Sequence, residues 1–217
     1  MEKDGHVFIP EFLPDIDIVS CGKIIGEIIT PHLLLNGQEA DIVNTLIPKN
    51  KIKYQNNTYS AIFGLDEFPY HTDLAHSTLP PNYLMLRCIE GATDVKTKII
   101  RSGDVMENYD KIKLRKCIFK PRDKLSIMSS FPLPLIFDNG FLRWDSIFLH
   151  PANKFAEEFH NWMSVTKWHD IERSYSLSNK GDCLIINNRT SLHSRSSVPD
   201  KAKSRVVERI YLSEIWK

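Results

Sequence analysis

The 217-residue sequence holds four cysteines, and no two of them form a CxxC pair. Cys21, Cys88, Cys117 and Cys183 are too scattered for a zinc cluster or a redox dithiol, so they read as buried, reduced thiols. Long apolar runs are missing as well. The opening MEKDGHVFIPEF lacks the core of a signal peptide, and no later stretch is long enough to span a bilayer. A cytoplasmic chain with no membrane partner is expected, and the sequons at Asn56 and Asn188 then read as chance matches. Charge of one sign is not in excess either: 28 basic residues face 27 acidic ones, a formal +1. Such a chain has no strong field to gather nucleic acid or anionic lipid. The basic run KIKLRKCIFKPRDK at 111–124 reads as a solvated face, which leaves a small molecule as the expected partner. No repeat, low-complexity segment or proline-rich linker divides the sequence.

What is present is ordinary globular composition, 42% hydrophobic and 25% charged, in a length that suits one domain over residues 1–217. Early segments read as scaffold, with a helix near GQEADIVNTLI ended by Pro48. NYLMLRCIE, between Pro81 and Gly91, has the make-up of a buried strand. SGDVMENYDKIKL looks helical. Phe155, Phe159, Trp162, Met163 and Thr166 recur at helical spacing and predict a helix over 154–172 whose aromatic stripe is core. Near the end, CLII and the alternating RVVERIYL read as strands. These elements suggest a mainly β fold with flanking helices, built on a double-stranded β-helix (jelly-roll) core whose mouth suits a small ligand.

Chemistry concentrates in a few polar residues. In FPYHTD, strand alternation places His71 and Asp73 on one face and Thr72 on the other. The spacing alone is weak, since composition predicts about one such pair by chance. A third ligand must come from a distant segment. His193 is the best candidate, because it follows a buried strand that would end near the barrel mouth; His76, His150, His160 and His169 read as structural or outlying. Two imidazoles and a carboxylate can hold ferrous iron on one face and leave the opposite positions open. In RVVERIYL, alternation puts Arg205, Val207, Arg209 and Tyr211 on one face. Two arginines there invite an anion, and a guanidinium pairs bidentately with a carboxylate. Val206, Ile210 and Leu212 leave open which face is buried. Arg143 and Trp144 could reach a polar substrate or be structural.

The blocks FPYHTDLAH, PPNYLMLRC, EGATDVKT and GDCLIINNRTSLHSR followed by RVVERIYL resemble the taurine dioxygenase/TfdA superfamily of iron(II)- and 2-oxoglutarate-dependent dioxygenases, clavaminate-synthase-like members included. The likeness covers roughly residues 60–215. It implies His71, Asp73 and His193 as the Fe(II) ligands, and Thr97, with Thr93 the alternative, as a 2-oxoglutarate contact. It implies Arg205 on the distal carboxylate of 2-oxoglutarate, and Arg209 at the cosubstrate or primary substrate. Arg189 and Arg195 flank His193 with outward salt bridges at least as expected as catalysis. The implied reaction uses dioxygen to hydroxylate an unactivated C–H bond of a small polar metabolite, such as an amino acid or biosynthetic intermediate, releasing succinate and CO2. Asp73 favours hydroxylation over halogenation, where a missing carboxylate makes room for halide. The competing reading is a non-catalytic module of the same fold that binds a small acid or metal as a sensor.

Overall fold

The computed structural model describes residues 4–30, 41–52, 58–122, 131–138 and 140–216. The chain opens with β1 (His6–Ile9), α1 (Ile18–Ile25), β2 (Gly26–Ile29) and β3 (Asn44–Leu46). After α2 (Tyr59–Phe63) come β4 (Tyr83–Glu90), β5 (Lys96–Arg101) and the short helices α3 (Ser102–Glu107) and α4 (Lys111–Leu114). The middle is made of β6 (Ile118–Pro121), β7 (Leu133–Pro134), β8 (Ile136–Phe137), β9 (Phe141–Leu142), β10 (Leu149–Pro151) and α5 (Lys154–Val165). It closes with β11 (Arg173–Ser176), β12 (Cys183–Asn187), β13 (Ser191–Arg195) and β14 (Val206–Ile215). The architecture is mainly β with few helices.

All strand pairs among the described residues are antiparallel, and most join segments far apart in sequence. The largest sheet runs β1-β12-β4-β14-β2, with β3 also paired to β14. A smaller sheet runs β11-β5-β13. Alternation along β4 explains how they stack. Leu84, Leu86 and Cys88 join Val207 and Tyr211 of β14 and Ile99 of β5 in a core between the two sheets. Met85 points the other way, joining Ile210, Leu212 and the α1 residues Ile18 and Cys21 in a second core. Both faces of β14 are therefore buried, which is why its hydrophobic pattern alone left the inner face undecided. The outer face of the small sheet contributes Ile100 and Leu192 to a third core, with Phe159 and Met163 of α5 and Trp144.

Two arginines lock loops onto this scaffold. Arg87, on the outer face of β4, donates to the carbonyls of Phe12, Leu13 and Ile16 at 2.6, 2.6 and 2.8 Å. Arg143 does the same for the loop after Asp73, donating to Ala75, Ser77 and Thr78 carbonyls at 2.9, 2.6 and 3.2 Å. Burial pulls the Arg143 pKa down to about 10, still far above neutrality, so the cation persists.

Several sequence expectations need correction. Of the segment expected to be helical near 37–47, residues 37–40 lie outside the described residues, and the rest contains β3 instead. Backbone pairing of Leu46, Thr45 and Asn44 with Val207, Glu208 and Arg209 of β14 wins over helical propensity there. Helix α5 stops at Val165 rather than 172. The Thr166 hydroxyl donates to the Trp162 carbonyl at 2.7 Å, and Trp168 turns back to bury its ring edge-on against Trp162. The stretch SGDVMENYDKIKL is helical in two pieces, α3 and α4, because the Asp110 carboxylate caps a new helix by accepting from Ile112 and Lys113 N–H. All four cysteines are buried and free. Asn56 lies outside the described residues. Among the described residues no helix is long and apolar enough to cross a membrane.

Candidate metal centre

His71 does not lie in a regular strand. It makes one isolated bridge to His193, each N–H donating to the other's carbonyl at 2.9 Å, and the chain then turns. Thr72 still points away, as alternation requires, and the reason is specific. Its N–H donates to the Trp144 carbonyl at 2.8 Å and its hydroxyl accepts from the Trp144 N–H at 3.1 Å. Asp73 is fixed by Asn188, which accepts from its N–H at 2.8 Å and donates to its carbonyl and to that of Pro81, both at 3.0 Å. Leu74 leaves the turn with φ at +57°, a left-handed conformation that costs a leucine about 1 kcal/mol.

Three donor atoms converge as a result. His71 Nε2 and His193 Nε2 each lie 3.5 Å from the same oxygen, Asp73 Oδ1, and the three ligand atoms all fall within 4.8 Å of one another. Each residue is at most 7% exposed. The partners of the remaining atoms decide which atoms face the centre. His71 Nδ1 is 2.9 Å from the Pro69 carbonyl, so it carries the proton and leaves the Nε2 lone pair free. Asp73 Oδ2 accepts from Arg209 Nη1 and from the Tyr211 hydroxyl, both at 2.9 Å. Only Oδ1 of the carboxylate is left for a metal, which predicts single-oxygen ligation. Among the described residues His193 Nδ1 has no hydrogen-bond partner.

Electrostatics favour a cation here. Burial opposes the Asp73 charge, but Arg209, His193 and His71 outweigh it and hold the carboxyl well below the usual range. Burial and the His71 charge push His193 down, so it stands ready as a neutral ligand. Burial also works against a charged His71, yet Asp73 and Asp145 prevail and raise its pKa. The donor set of two imidazoles and one carboxylate, with no thiolate, suits ferrous iron.

Arg205, just before β14, is buried at 6% exposed, and its Nε has no hydrogen-bond partner among the described residues. Among the described residues it forms no ion pair. Burial lowers its pKa, offset in part by the Cys88 thiol, and its guanidinium neighbour is Arg195. A buried cation with no anion is an open demand for one. Thr97, on β5, is buried and shares the inner face of that strand with Ile99, whereas Thr93 is exposed in the preceding loop. Of the two hydroxyls, Thr97 is thus the one directed between the sheets. Arg209 is bonded to Asp73, about 13 Å along the strand from Arg205 at about 3.3 Å per residue. Arg195 differs from the expected outward salt bridge: it donates to the Gly64 and Asp66 carbonyls and lies 3.7 Å from the Phe68 ring centroid. Arg189 does pair outward, with Asp138 at 2.7 Å. Arg143 and Trp144 are structural, holding the loop beyond Asp73 and the Thr72 backbone.

The sequence reading missed four residues of this centre. Tyr211 had been placed on the Arg209 face, but nothing marked its hydroxyl as a partner of Asp73. Asn188 looked like a chance sequon; it is fully buried and makes three hydrogen bonds around Asp73. Tyr59 stacks on His71 at 4.2 Å between ring centroids. Asp145 is a buried carboxylate whose charge reaches His71. Asn188→Ala should weaken iron(II) binding by about tenfold or more, because partners that orient metal ligands typically carry 10–100-fold in affinity. It should also cost roughly 2 kcal/mol of stability through the unpaired Asp73 and Pro81 groups. Anaerobic iron(II) titration and chemical denaturation check both, and an unchanged iron affinity would make Asn188 mere filler.

No protein-family model and no curated protein matches the chain. Solved structures do. Asparagine oxygenase in complex with Fe(II), 2S,3S-3-hydroxyasparagine and succinate superposes with a TM-score of 0.66 at 16% identity, over 96% of this chain and 74% of its own. A mutant of the non-heme iron oxygenase OrfP bound to (3S)-hydroxy-L-Arg gives 0.68 at 15% identity, over 98% and 76%. OrfP with Fe and alpha-ketoglutaric acid gives 0.64 at 15%, again over 98% and 76%. At such identity the likeness is one of fold, and the chain has the fold of these non-heme iron oxygenases, as its sequence blocks suggested.

Proposed function

We propose that this protein is a single-domain Fe(II)- and 2-oxoglutarate-dependent dioxygenase on a double-stranded β-helix, hydroxylating an unactivated C–H bond of a small polar metabolite. One observation carries the reading: two imidazole nitrogens and a single carboxylate oxygen, otherwise free of partners they could not give up, meet at a buried point. The similar solved structures hold iron with succinate or alpha-ketoglutaric acid, or hydroxylated amino acids. This supports the same chemistry here and an amino acid or related metabolite as substrate.

His71 Nε2, Asp73 Oδ1 and His193 Nε2 would hold the iron, and 2-oxoglutarate would place its distal carboxylate on Arg205, with the Thr97 hydroxyl facing the same space. Iron, 2-oxoglutarate and dioxygen together would supply an oxidant strong enough to remove hydrogen from a C–H bond, one oxygen atom going to succinate as the cosubstrate loses CO2 and the other to the hydroxylated product. The protein's own residues position and shield. Arg209 and Tyr211 hold Asp73 Oδ2 so that the carboxylate presents one oxygen. Pro69 fixes the His71 tautomer. Tyr59 covers the His71 ring and helps keep water from the centre. Positioning of this kind lowers the barrier by fixing the reacting geometry in advance.

The test is anaerobic addition of iron(II) and 2-oxoglutarate, followed by air. A weak visible charge-transfer band that needs both reagents, and then succinate formation, is expected. Metal binding with no such band and no succinate would favour the sensor reading instead.

A further inference from the structure

The segment that carries His71 has a second face. Tyr70 turns away from the metal ligands and packs against the third core, which holds Trp144 and the inner side of α5. On that side lies a cavity of about 380 Å³, inside the roughly 300–1,000 Å³ range of small-molecule sites. None of the three metal ligands lines it. Pro69 and Trp144 do, and these are the residues whose backbones brace His71 and Thr72 from behind.

The lining of this cavity divides by chemistry. Phe63, Phe68, Tyr70, Trp144 and Trp168 bring aromatic rings to it. Its polar part is a charge cluster that is not balanced. The Tyr70 hydroxyl donates to Glu172 Oε2 at 2.5 Å, while Lys98 Nζ lies 2.8 Å from Glu67 Oε1 and 3.6 Å from Glu172 Oε1. One lysine thus serves two carboxylates, and the further partner of Glu172 is the exposed His169, whose Nδ1 is 3.7 Å away. Burial opposes the Glu172 charge, but the Tyr70 hydroxyl, Lys98 and His169 outweigh it and lower its pKa, so it stays an anion. Lys167, exposed on the segment after α5, lines the same cavity and forms no ion pair among the described residues.

We propose that this cavity is a second ligand site, which takes a free aromatic amino acid as its zwitterion. The ammonium would join Glu67 and Glu172, where one positive charge is short, and the carboxylate would pair with Lys167. The side-chain ring would lie among Phe68, Trp144 and Trp168, whose faces also attract the ammonium. An N-acylated compound brings no cation to the two carboxylates. An amino acid without a ring leaves the aromatic lining facing water. The site goes beyond the oxygenase reading and stands without it, because its occupant sits behind the segment that presents His71 to the metal and is not the molecule oxidised there.

The experiment is calorimetric titration of the full chain with L-phenylalanine, without iron or 2-oxoglutarate. Saturable binding with a Kd of about 1 mM or tighter is expected, a range that so small a ligand can reach. N-acetyl-L-phenylalanine, which lacks the cation, and L-alanine, which lacks the ring, should each bind at least about tenfold more weakly. Glu172→Gln keeps an acceptor for the Tyr70 hydroxyl but removes the charge; it should weaken L-phenylalanine at least about tenfold. Lys167→Ala, at an exposed position, should weaken L-phenylalanine about threefold and leave phenethylamine, which has no carboxylate, unchanged. It gives a second reading should Glu172→Gln fail to fold. No saturable binding of L-phenylalanine, equal binding of its acetylated form, or wild-type affinity in both variants overturns the site. The oxygenase reading is decided separately, by the iron-dependent band with 2-oxoglutarate, and either result can occur without the other.

Discussion

His193→Ala should remove tight iron(II) binding and lower iron-dependent succinate formation by at least about a hundredfold, while the protein stays folded. The size follows from what is lost: partners that only orient a ligand carry 10–100-fold, and His193 supplies a donor atom itself. The fold survives because β13 is held by its backbone. Ser191 to Arg195 pair with Arg101 to Thr97 of β5, and the His71 to His193 bridge uses N–H and carbonyl groups that alanine retains. His193 is also a cleaner target than Asp73. Removing Asp73 would strand the Arg209 cation and the Tyr211 hydroxyl in the interior, and breaking a buried pair from one side typically costs about 3–5 kcal/mol. Equilibrium dialysis of iron(II) under argon, with circular dichroism of the same samples, separates loss of the ligand from loss of the fold. A variant that still bound one iron per chain tightly would take His193 out of the centre.

The second large effect has opposite signs in two measurements. Arg205→Gln should weaken 2-oxoglutarate binding by about 2–5 kcal/mol, the range for truncating one partner of a buried, hydrogen-bonded charge pair. The same change should stabilise the protein without cosubstrate, by about 1 kcal/mol or more, since it removes a buried cation that has no anionic partner among the described residues. A residue that merely braced the fold would lose stability on substitution. Titration of the charge-transfer band with 2-oxoglutarate reads the first effect and urea denaturation the second. Wild-type affinity in the variant would shift the carboxylate contact to another cation, Arg195 being its neighbour.

The contrast between what the sequence disclosed and what it hid has a physical basis. NYLMLRCIE and RVVERIYL were readable as strands because they carry dense apolar or alternating patterns, and such patterns are local. The convergence of His71 and Asp73 was readable for the same reason, even though a single bridge and a turn replace the expected strand. Opposite faces of Thr72 and its neighbours survive in both geometries. Asn188, Tyr59 and Asp145 were not readable, because each acquires meaning only from a partner distant along the chain: Asn188 from Asp73, Tyr59 from His71, Asp145 from the ring and hydroxyl of Tyr59. The helix expected near 37–47 erred in the described residues for a related reason. Nothing in GQEADIVNTLI announces that β14 offers an edge for Asn44 to Leu46 to pair with.

The most direct measurement is a crystal structure of the protein grown without oxygen in iron(II) and 2-oxoglutarate. The expected result is one iron bound by His71 Nε2, a single oxygen of Asp73 and His193 Nε2, with Arg209 and Tyr211 still on the other Asp73 oxygen and the far carboxylate of 2-oxoglutarate against Arg205. Iron held elsewhere, or an imidazole of His193 turned away from it, would contradict the assignment.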